Sequence, residues 1–135
     1  MRFGIGLLQR FDADDGAWSV VTKREVFDSQ LTVTGEEAAV VEGFFGKDAI
    51  HVGRVGLAPA KAAKEFILHP SGKRIVLNLI YPKPAKPELR LYLSCRRGFM
   101  PEALDIWYIF LKKGRPYIGA MPQSKWDSWT KSPAL

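Results

Sequence analysis

The sequence predicts an α+β fold that is mainly β, a closed or nearly closed antiparallel barrel with one or two short helices. Short runs rich in β-branched and aromatic residues recur about every eight to twelve residues, separated by turn-forming Gly, Pro, Asp and Ser. Only one segment combines the apolar spacing of a helix with clear signals at both of its ends. Together these observations predict seven or eight strands.

Length and composition fit one globular domain. The chain has 135 residues, 47% apolar and 25% charged, which suffices for a core without metal or disulfide. We expect the domain to span residues 1–131, and residues 132–135 to be a tail or the start of a linker. The single cysteine, Cys95, favours a reducing compartment. No apolar run reaches the length of a signal-peptide core or a transmembrane helix, so we expect a cytoplasmic protein without a membrane partner.

The first half is predicted as two strands, a loop and a helix. Apolar residues alternate with glycines over residues 2–9, which predicts a strand, and residues 10–17 are polar and turn-forming. Residues 18–27 are predicted as the second strand. A helix follows, with Thr34 as its N-cap and Gly46 at its C-terminal end.

The second half is predicted to be almost entirely β. Hairpin turns are expected at residues 69–72 and 113–116. The run 105–111 is apolar nearly throughout, so it should be a central strand with both faces covered. Residues 124–130 are predicted as a short helix that lays two tryptophans on the core. The predicted strands are 49–55, 64–68, 73–81, 88–94, 105–112 and 117–121.

Positive charge is concentrated in the second half of the chain. Residues 1–60 contain six Lys or Arg and nine Asp or Glu, whereas residues 61–135 contain fourteen and five. With a pI of about 9.6, this asymmetry is typical of nucleic-acid-binding proteins. The alternative reading of the charge alone is a lysine-rich, solvated surface that has no anionic partner.

The most informative segment is residues 82–87, Pro-Lys-Pro-Ala-Lys-Pro, between two predicted strands. Its three prolines predict an extended arm that carries Lys83 and Lys86. Glu88 and Arg90 follow two residues apart and therefore share one side of a strand. Arginine can pair with guanine and glutamate can accept from cytosine, so both are candidates for reading bases. The alternative is a mutual surface ion pair.

Other cations near this arm and the first loop are expected to contact phosphates. Such contacts position a protein on DNA without specifying its sequence. These residues are Lys23, Arg24, Lys83, Arg96 and Arg97.

No catalytic, metal or cofactor site is predicted. His51, His69 and Cys95 lack the paired spacing of a zinc site. The segment Gly4-Ile5-Gly6 lacks the third glycine of a dinucleotide loop. No serine or cysteine has a marked base partner. We therefore expect that this chain alone is not an enzyme.

Two segments carry a resemblance to a known family. The loop at residues 9–17 and the alternation of Lys86, Glu88 and Arg90 at the start of a strand resemble the N-terminal effector domain of EcoRII-type restriction endonucleases. That domain belongs to the B3-like DNA-binding pseudobarrels. The apolar strand at 105–111 falls where the family has one.

The resemblance implies a seven- to eight-stranded pseudobarrel whose two arms grip double-stranded DNA from the major-groove side. It assigns Arg10 and Asp14 to the first arm, and Lys86, Glu88 and Arg90 to the second, as the residues that read bases. Cleavage would then belong to a separate, C-terminal nuclease domain of a restriction endonuclease.

Two other functions stay open at this stage. A PUA-like barrel would bind RNA or a modified base in a pocket lined by Trp107, Tyr108 and Phe110. A small metal-dependent nuclease would instead require carboxylates such as Asp105 and Glu88.

Overall fold

The computed structural model describes residues 1–86 and 88–131, so the predicted tail at residues 132–135 lies outside the described residues. The fold is mixed α+β and mainly strand, with a sheet curled into a half-barrel. The strands are β1 (Asp15–Val20), β2 (Gln30–Val33), β3 (His51–Val52), β4 (Ala63–Leu68), β5 (Arg74–Tyr81), β6 (Leu89–Tyr92), β7 (Ile106–Lys112) and β8 (Arg115–Met121). The helices are α1 (Ile5–Phe11), α2 (Lys23–Asp28), α3 (Gly35–Phe45), α4 (Pro59–Ala62) and α5 (Gln123–Lys131).

The strands follow the order β1-β7-β8-β4-β5-β6-β2, and β3 pairs with β5. Most pairs are antiparallel as predicted, but β3–β5 and β4–β8 are parallel. The predicted helix α3, the terminal helix α5 and the strands from β4 to β8 are confirmed. The strand predicted at residues 49–55 is reduced to the two residues of β3. None of the helices in the described part of the chain combines the length and apolar character needed to cross a bilayer.

The predictions of a strand at residues 2–9 and a loop at residues 10–17 are wrong. The chain forms α1 there, and β1 begins after a short turn. Leu7 and Phe11 are four residues apart, so on a helix they share the face that packs on an aromatic cluster. Ile5, which a strand would place on the same side as Phe3 and Leu7, is 76% exposed.

The predicted strand at residues 18–27 ends at Val20, where β1 ends. Thr22 accepts a hydrogen bond from the Glu25 backbone N–H, and the Glu25 carboxylate accepts one from the Thr22 backbone N–H. This capping box satisfies two N–H groups that a helix start leaves free, and it therefore begins α2. The short strand β2 follows and was not predicted.

Strand β7 is covered on both faces, as predicted. Trp107 and Ile109 belong to the larger core cluster. Tyr108 and Phe110, which point to the other side, belong to a second cluster that also includes residues of α1 and α5. Trp126 of α5 is only 4% exposed there, and Trp129 packs partly buried against the same cluster, so the prediction that this helix lays two tryptophans on the core is confirmed.

The packing of Tyr108 requires a glycine at position 119. The two residues are paired between β7 and β8, and a Cβ atom on Gly119 would overlap the Tyr108 hydroxyl and ring. Tyr108 is fully buried, so its ring has no free space to enter. We expect Gly119→Ala to lower the free energy of unfolding by about 1–3 kcal/mol in urea denaturation, because overpacking displaces neighbours.

The matched control is Gly43→Ala in α3, where a Cβ atom would meet nothing within 4 Å. This change should raise the free energy of unfolding by about 0.5–1 kcal/mol, because alanine favours the helix over glycine. Equal stability of Gly119→Ala and the wild type would contradict the packing argument.

His69 lies between β4 and β5 against the second cluster. Its Nδ1 atom and the Tyr108 hydroxyl share a hydrogen bond of 2.8 Å, and the rings of Phe11 and Phe110 lie against it edge-on. Burial lowers the pKa of His69 below its ordinary value of 6.5, and two nearby lysines lower it further. The folded protein therefore favours the neutral imidazole.

This lowered pKa predicts a pH dependence of stability. Between pH 6.5 and the lower pKa of His69 in the folded protein, this imidazole is protonated in the unfolded chain and neutral in the folded protein. The free energy of unfolding should therefore decrease as pH falls through that window. In urea unfolding between about pH 7.5 and about pH 5, His69→Gln should reduce this decrease. A slope in His69→Gln equal to that of the wild type would contradict this assignment.

Candidate nucleic-acid interface

The outer side of the β2–β6 pair carries a row of polar side chains. In the antiparallel register Gln30 lies opposite Tyr92, and Thr32 lies opposite Arg90. Alternate residues of these strands, the leucines and Val33, point into the core. The β2–β6 face, as we name it, consists of Gln30, Thr32, Glu88, Arg90 and Tyr92.

Two grooves open on this face, with volumes of about 470 and 270 Å³. The larger one is bordered by the arm residues Lys83 and Lys86. The smaller one is bordered by α2 and by Ser19 and Val20 at the end of β1. Arg90 lines both. The two ends of the sheet, β1 and β2, therefore contribute to one continuous polar surface.

The guanidinium of Arg90 is held in a fixed plane. One terminal nitrogen donates to the Glu88 carboxylate at 2.7 Å and the other donates to the Thr32 hydroxyl at 2.8 Å. Each of these nitrogens keeps a second N–H for a further partner. The Arg90 side chain is 25% exposed. The ion pair that the sequence left as an alternative is thus present, and it orients a group that still has free donors.

The predicted extended arm is wrong, because the chain turns back on itself. Lys83 and Lys86 form an antiparallel bridge, and the Lys86 N–H points to the Lys83 carbonyl oxygen at 3.4 Å. Pro87 lies outside the described residues. Both lysines are exposed, and neither is paired with a carboxylate in the described part of the chain. The arm is therefore a compact hairpin tip that carries two unpaired cations.

Two hydrogen-bonded contacts fix the scaffold under the face. The Tyr81 hydroxyl, at the end of β5, donates to the Glu42 carboxylate of α3. Burial raises the pKa of Tyr81, and Glu42 raises it further, so this hydroxyl stays a donor. The Glu25 carboxylate, which caps α2, also accepts from the Thr32 backbone N–H at 2.8 Å. The hairpin and β2 are thereby tied to helices.

Of the predicted phosphate contacts, Lys83 and Arg24 line the grooves, whereas Lys23, Arg96 and Arg97 do not. Arg24 on α2 lines the smaller groove and pairs with Asp28 at 2.9 Å, and Lys23 precedes it, exposed. Arg96 and Arg97 are exposed in the turn after β6.

Two cations of the β5–β6 segment, Lys83 and Arg97, lie far apart along β5. Arg97 donates to the Val76 carbonyl at 3.2 Å, near the start of β5. Val76 and Lys83 are seven residues apart in the sequence, or about 23 Å along an extended strand.

The structure does not bring the predicted first arm to this face. Arg10 lies in the last turn of α1, where its guanidinium stacks on the Trp129 ring at 4.6 Å and its Nε has no hydrogen-bond partner among the described residues. The Asp14 backbone N–H donates to the Leu111 carbonyl at 2.8 Å, just before β1. The smaller groove adjoins the other end of β1, at Val20, which is about 20 Å away along the strand.

Three residues of the face were missed by the sequence reasoning: Gln30, Thr32 and Tyr92. The alternation Gln30-Leu31-Thr32-Val33 is a period-two signal, but it covers only four residues. Tyr92 lies two residues beyond Arg90, on the same side of a strand that was predicted. Extending the alternation of Glu88 and Arg90 by one step identifies it.

The three aromatic residues predicted to line the base pocket of a PUA-like barrel do not form a pocket. Trp107, Tyr108 and Phe110 are each at most 1% exposed and pack in the two core clusters. Their rings therefore fill the core and do not line an open pocket.

The carboxylates considered for a nuclease do not converge. Asp105 accepts a hydrogen bond from the Glu102 backbone N–H at 2.9 Å, and Glu88 pairs with Arg90. Among residues 1–86 and 88–131, no group of three or more His, Cys, Asp or Glu side chains is arranged to hold a metal ion.

Comparison of the chain with models of protein families, with curated proteins and with solved structures gave no match in any of the three. The function is therefore inferred from the chemistry of the β2–β6 face.

Proposed function

We propose that this chain is a sequence-specific double-stranded DNA-binding domain that reads bases with the β2–β6 face. The observation that carries the proposal is the larger groove, where the oriented Arg90 guanidinium lies with two unpaired lysines, Lys83 and Lys86. Unpaired cations attract the phosphate backbone, and a fixed guanidinium can recognise a base edge.

The spacing of the face suits a duplex. Side chains on one side of β6 recur about every 6.7 Å, which is about twice the 3.4 Å rise of a base pair. The major groove of B-DNA, about 12 Å wide, admits a two-stranded β-ribbon. Along the duplex, Glu88, Arg90 and Tyr92 would thus each lie about two base pairs from the next.

The pair formed by Glu88 and Arg90 has the chemistry of a base reader. Glu88 and Thr32 hold the guanidinium, so little side-chain freedom remains to be lost on binding. Free N–H donors of Arg90 match the two acceptors of guanine, and a carboxylate can accept from cytosine. Gln30 and Lys86 border the same groove and extend the set of readers.

The proposal extends to the class of domain. The half-barrel would be a B3-like pseudobarrel, as in the effector domains of EcoRII-type restriction endonucleases, and cleavage would reside in a separate domain. We assign the reading of bases to the second arm, with Lys86, Glu88 and Arg90, and to β2. Arg10 and Asp14 are left out because they do not line the grooves. The chain alone would not be catalytic.

The reading role predicts the behaviour of Arg90 variants. Duplexes selected from a random pool at near-physiological salt provide the target, and fluorescence anisotropy measures affinity. Arg90→Ala should weaken binding of the selected duplex by about 1–3 kcal/mol and relax the preference at one base pair. Arg90→Lys keeps the charge but loses the planar fork, so it should relax the same preference with a smaller loss of affinity.

Arg54→Ala is the control, because Arg54 is exposed and lines neither groove. Urea unfolding of each variant shows whether the fold is retained. If Arg90→Ala leaves the ranking of duplexes unchanged, Arg90 does not read bases. If the pool yields no enriched motif, the protein is not a sequence-specific reader.

Lys83 should behave differently, as a phosphate contact. Lys83→Ala should weaken all duplexes alike and reduce the slope of log affinity against log salt by about one. Lys61→Ala, an exposed lysine of α4 that lines neither groove, should change neither quantity. A change in sequence preference for Lys83→Ala would contradict the division between phosphate contacts and readers.

A further inference from the structure

A third groove, of about 380 Å³, lies between the C-terminal end of α3 and the β7–β8 hairpin. It shares no lining residue with the grooves of the β2–β6 face. Phe66, Ile67 and Pro116, which line it, are buried, and Glu65 lines it as well. Phe44 and Phe45 form one wall, and two arginines, Arg74 and Arg115, are at the rim.

The two phenylalanines differ in what they do for the fold. Phe45 packs against the core cluster and meets the Phe66 ring edge-on, with centroids 5.6 Å apart. Phe44 meets Phe45 edge-on at 4.8 Å and is half-buried. Phe44 therefore presents an aromatic surface to the groove, held in place by a neighbour that the core fixes.

The rim of the groove carries more cations than anions. Arg115 is exposed and has no ion-pair partner among the described residues. Arg74 is 67% exposed, and its carboxylate partner, Glu65, is 3.9 Å away, beyond hydrogen-bond distance. The guanidinium groups of both arginines are thus available to an anion.

The local backbone explains why Arg115 lies at the rim. Lys113 and Gly114 have φ angles of 52° and 71°, as in the tight two-residue turns that fit the twist of a hairpin. Lys112 and Arg115 face each other across this turn. The turn therefore places Arg115 beside the aromatic wall.

We propose that this groove binds an unpaired nucleobase together with its phosphate, as part of single-stranded nucleic acid. A base has a π-face that stacks on Phe44, and the adjoining phosphate accepts hydrogen bonds from Arg74 and Arg115. In a duplex the bases are already stacked on each other, so the groove selects against it. This site is independent of the duplex-reading function proposed above.

The test measures anisotropy of a labelled oligothymidylate of about ten nucleotides, within the usual site size of such proteins. Phe44→Ala and Phe44→Leu should each weaken binding at least about five-fold, because both remove the stacking partner. Arg115→Ala should weaken it and reduce the salt slope by about 0.7. Phe27→Ala, at a phenylalanine that is 82% exposed on α2, and Arg54→Ala should change neither.

A second probe separates stacking from charge. An abasic oligomer of the same length keeps the phosphates and lacks the bases. It should bind the wild type more weakly than oligothymidylate, and Phe44→Ala should cause little further loss with it. An oligouridylate of equal length shows whether the strand is RNA or DNA, and a Phe44-dependent preference for either one supports the site.

Several results would overturn the inference. They are no binding of oligothymidylate, equal binding of the abasic oligomer, or equal effects of Phe44→Ala and Phe27→Ala. A loss in Lys83→Ala as large as that in Phe44→Ala would indicate one shared polyanion surface and would also contradict it. The duplex function is judged separately, because Phe44→Ala should leave duplex binding unchanged.

Discussion

The structure depends on the burial of β7 on both of its faces. Trp107 and Ile109 fill the inside of the half-barrel, while Tyr108 and Phe110 form the base of the second cluster. The second set of rings must be covered, which is the role of α1 and α5. Strand β7 itself therefore offers no free face for a ligand. The proposed reading surface therefore lies at the β6–β2 end, where one face of the sheet stays polar.

The ion pairs of the fold engage acidic residues and leave several basic residues at the surface unpaired. Arg2 pairs with both Asp15 and Glu36 at 2.7 Å, so acidic residues of the first half are neutralised within the fold. Such exposed pairs add little stability. Their effect is to leave cations such as Lys83 and Arg115 without competing carboxylates, and these cations lie at hairpin tips.

The sequence predicts the second half well because its strands are long and bounded by clear turns. It fails at the N-terminus, where Phe3, Ile5 and Leu7 satisfy the alternation of a strand although the segment becomes helical. The capping pattern of Thr22 and Glu25 was readable. By contrast, the contact between Arg90 and Thr32 joins residues 58 positions apart, and strand pairing over that distance is not readable from one sequence.

The two proposed nucleic-acid surfaces are joined by one rigid element. Arg74 begins β5, and Lys83 follows the end of β5 by two residues. Nine residues of extended chain span about 30 Å, which equals about nine base-pair rises of 3.4 Å. A duplex shorter than this cannot contact both surfaces at once. A duplex of that size therefore reports on one surface at a time, and a longer nucleic acid with a duplex part and an unpaired part would gain affinity from both through the higher effective concentration.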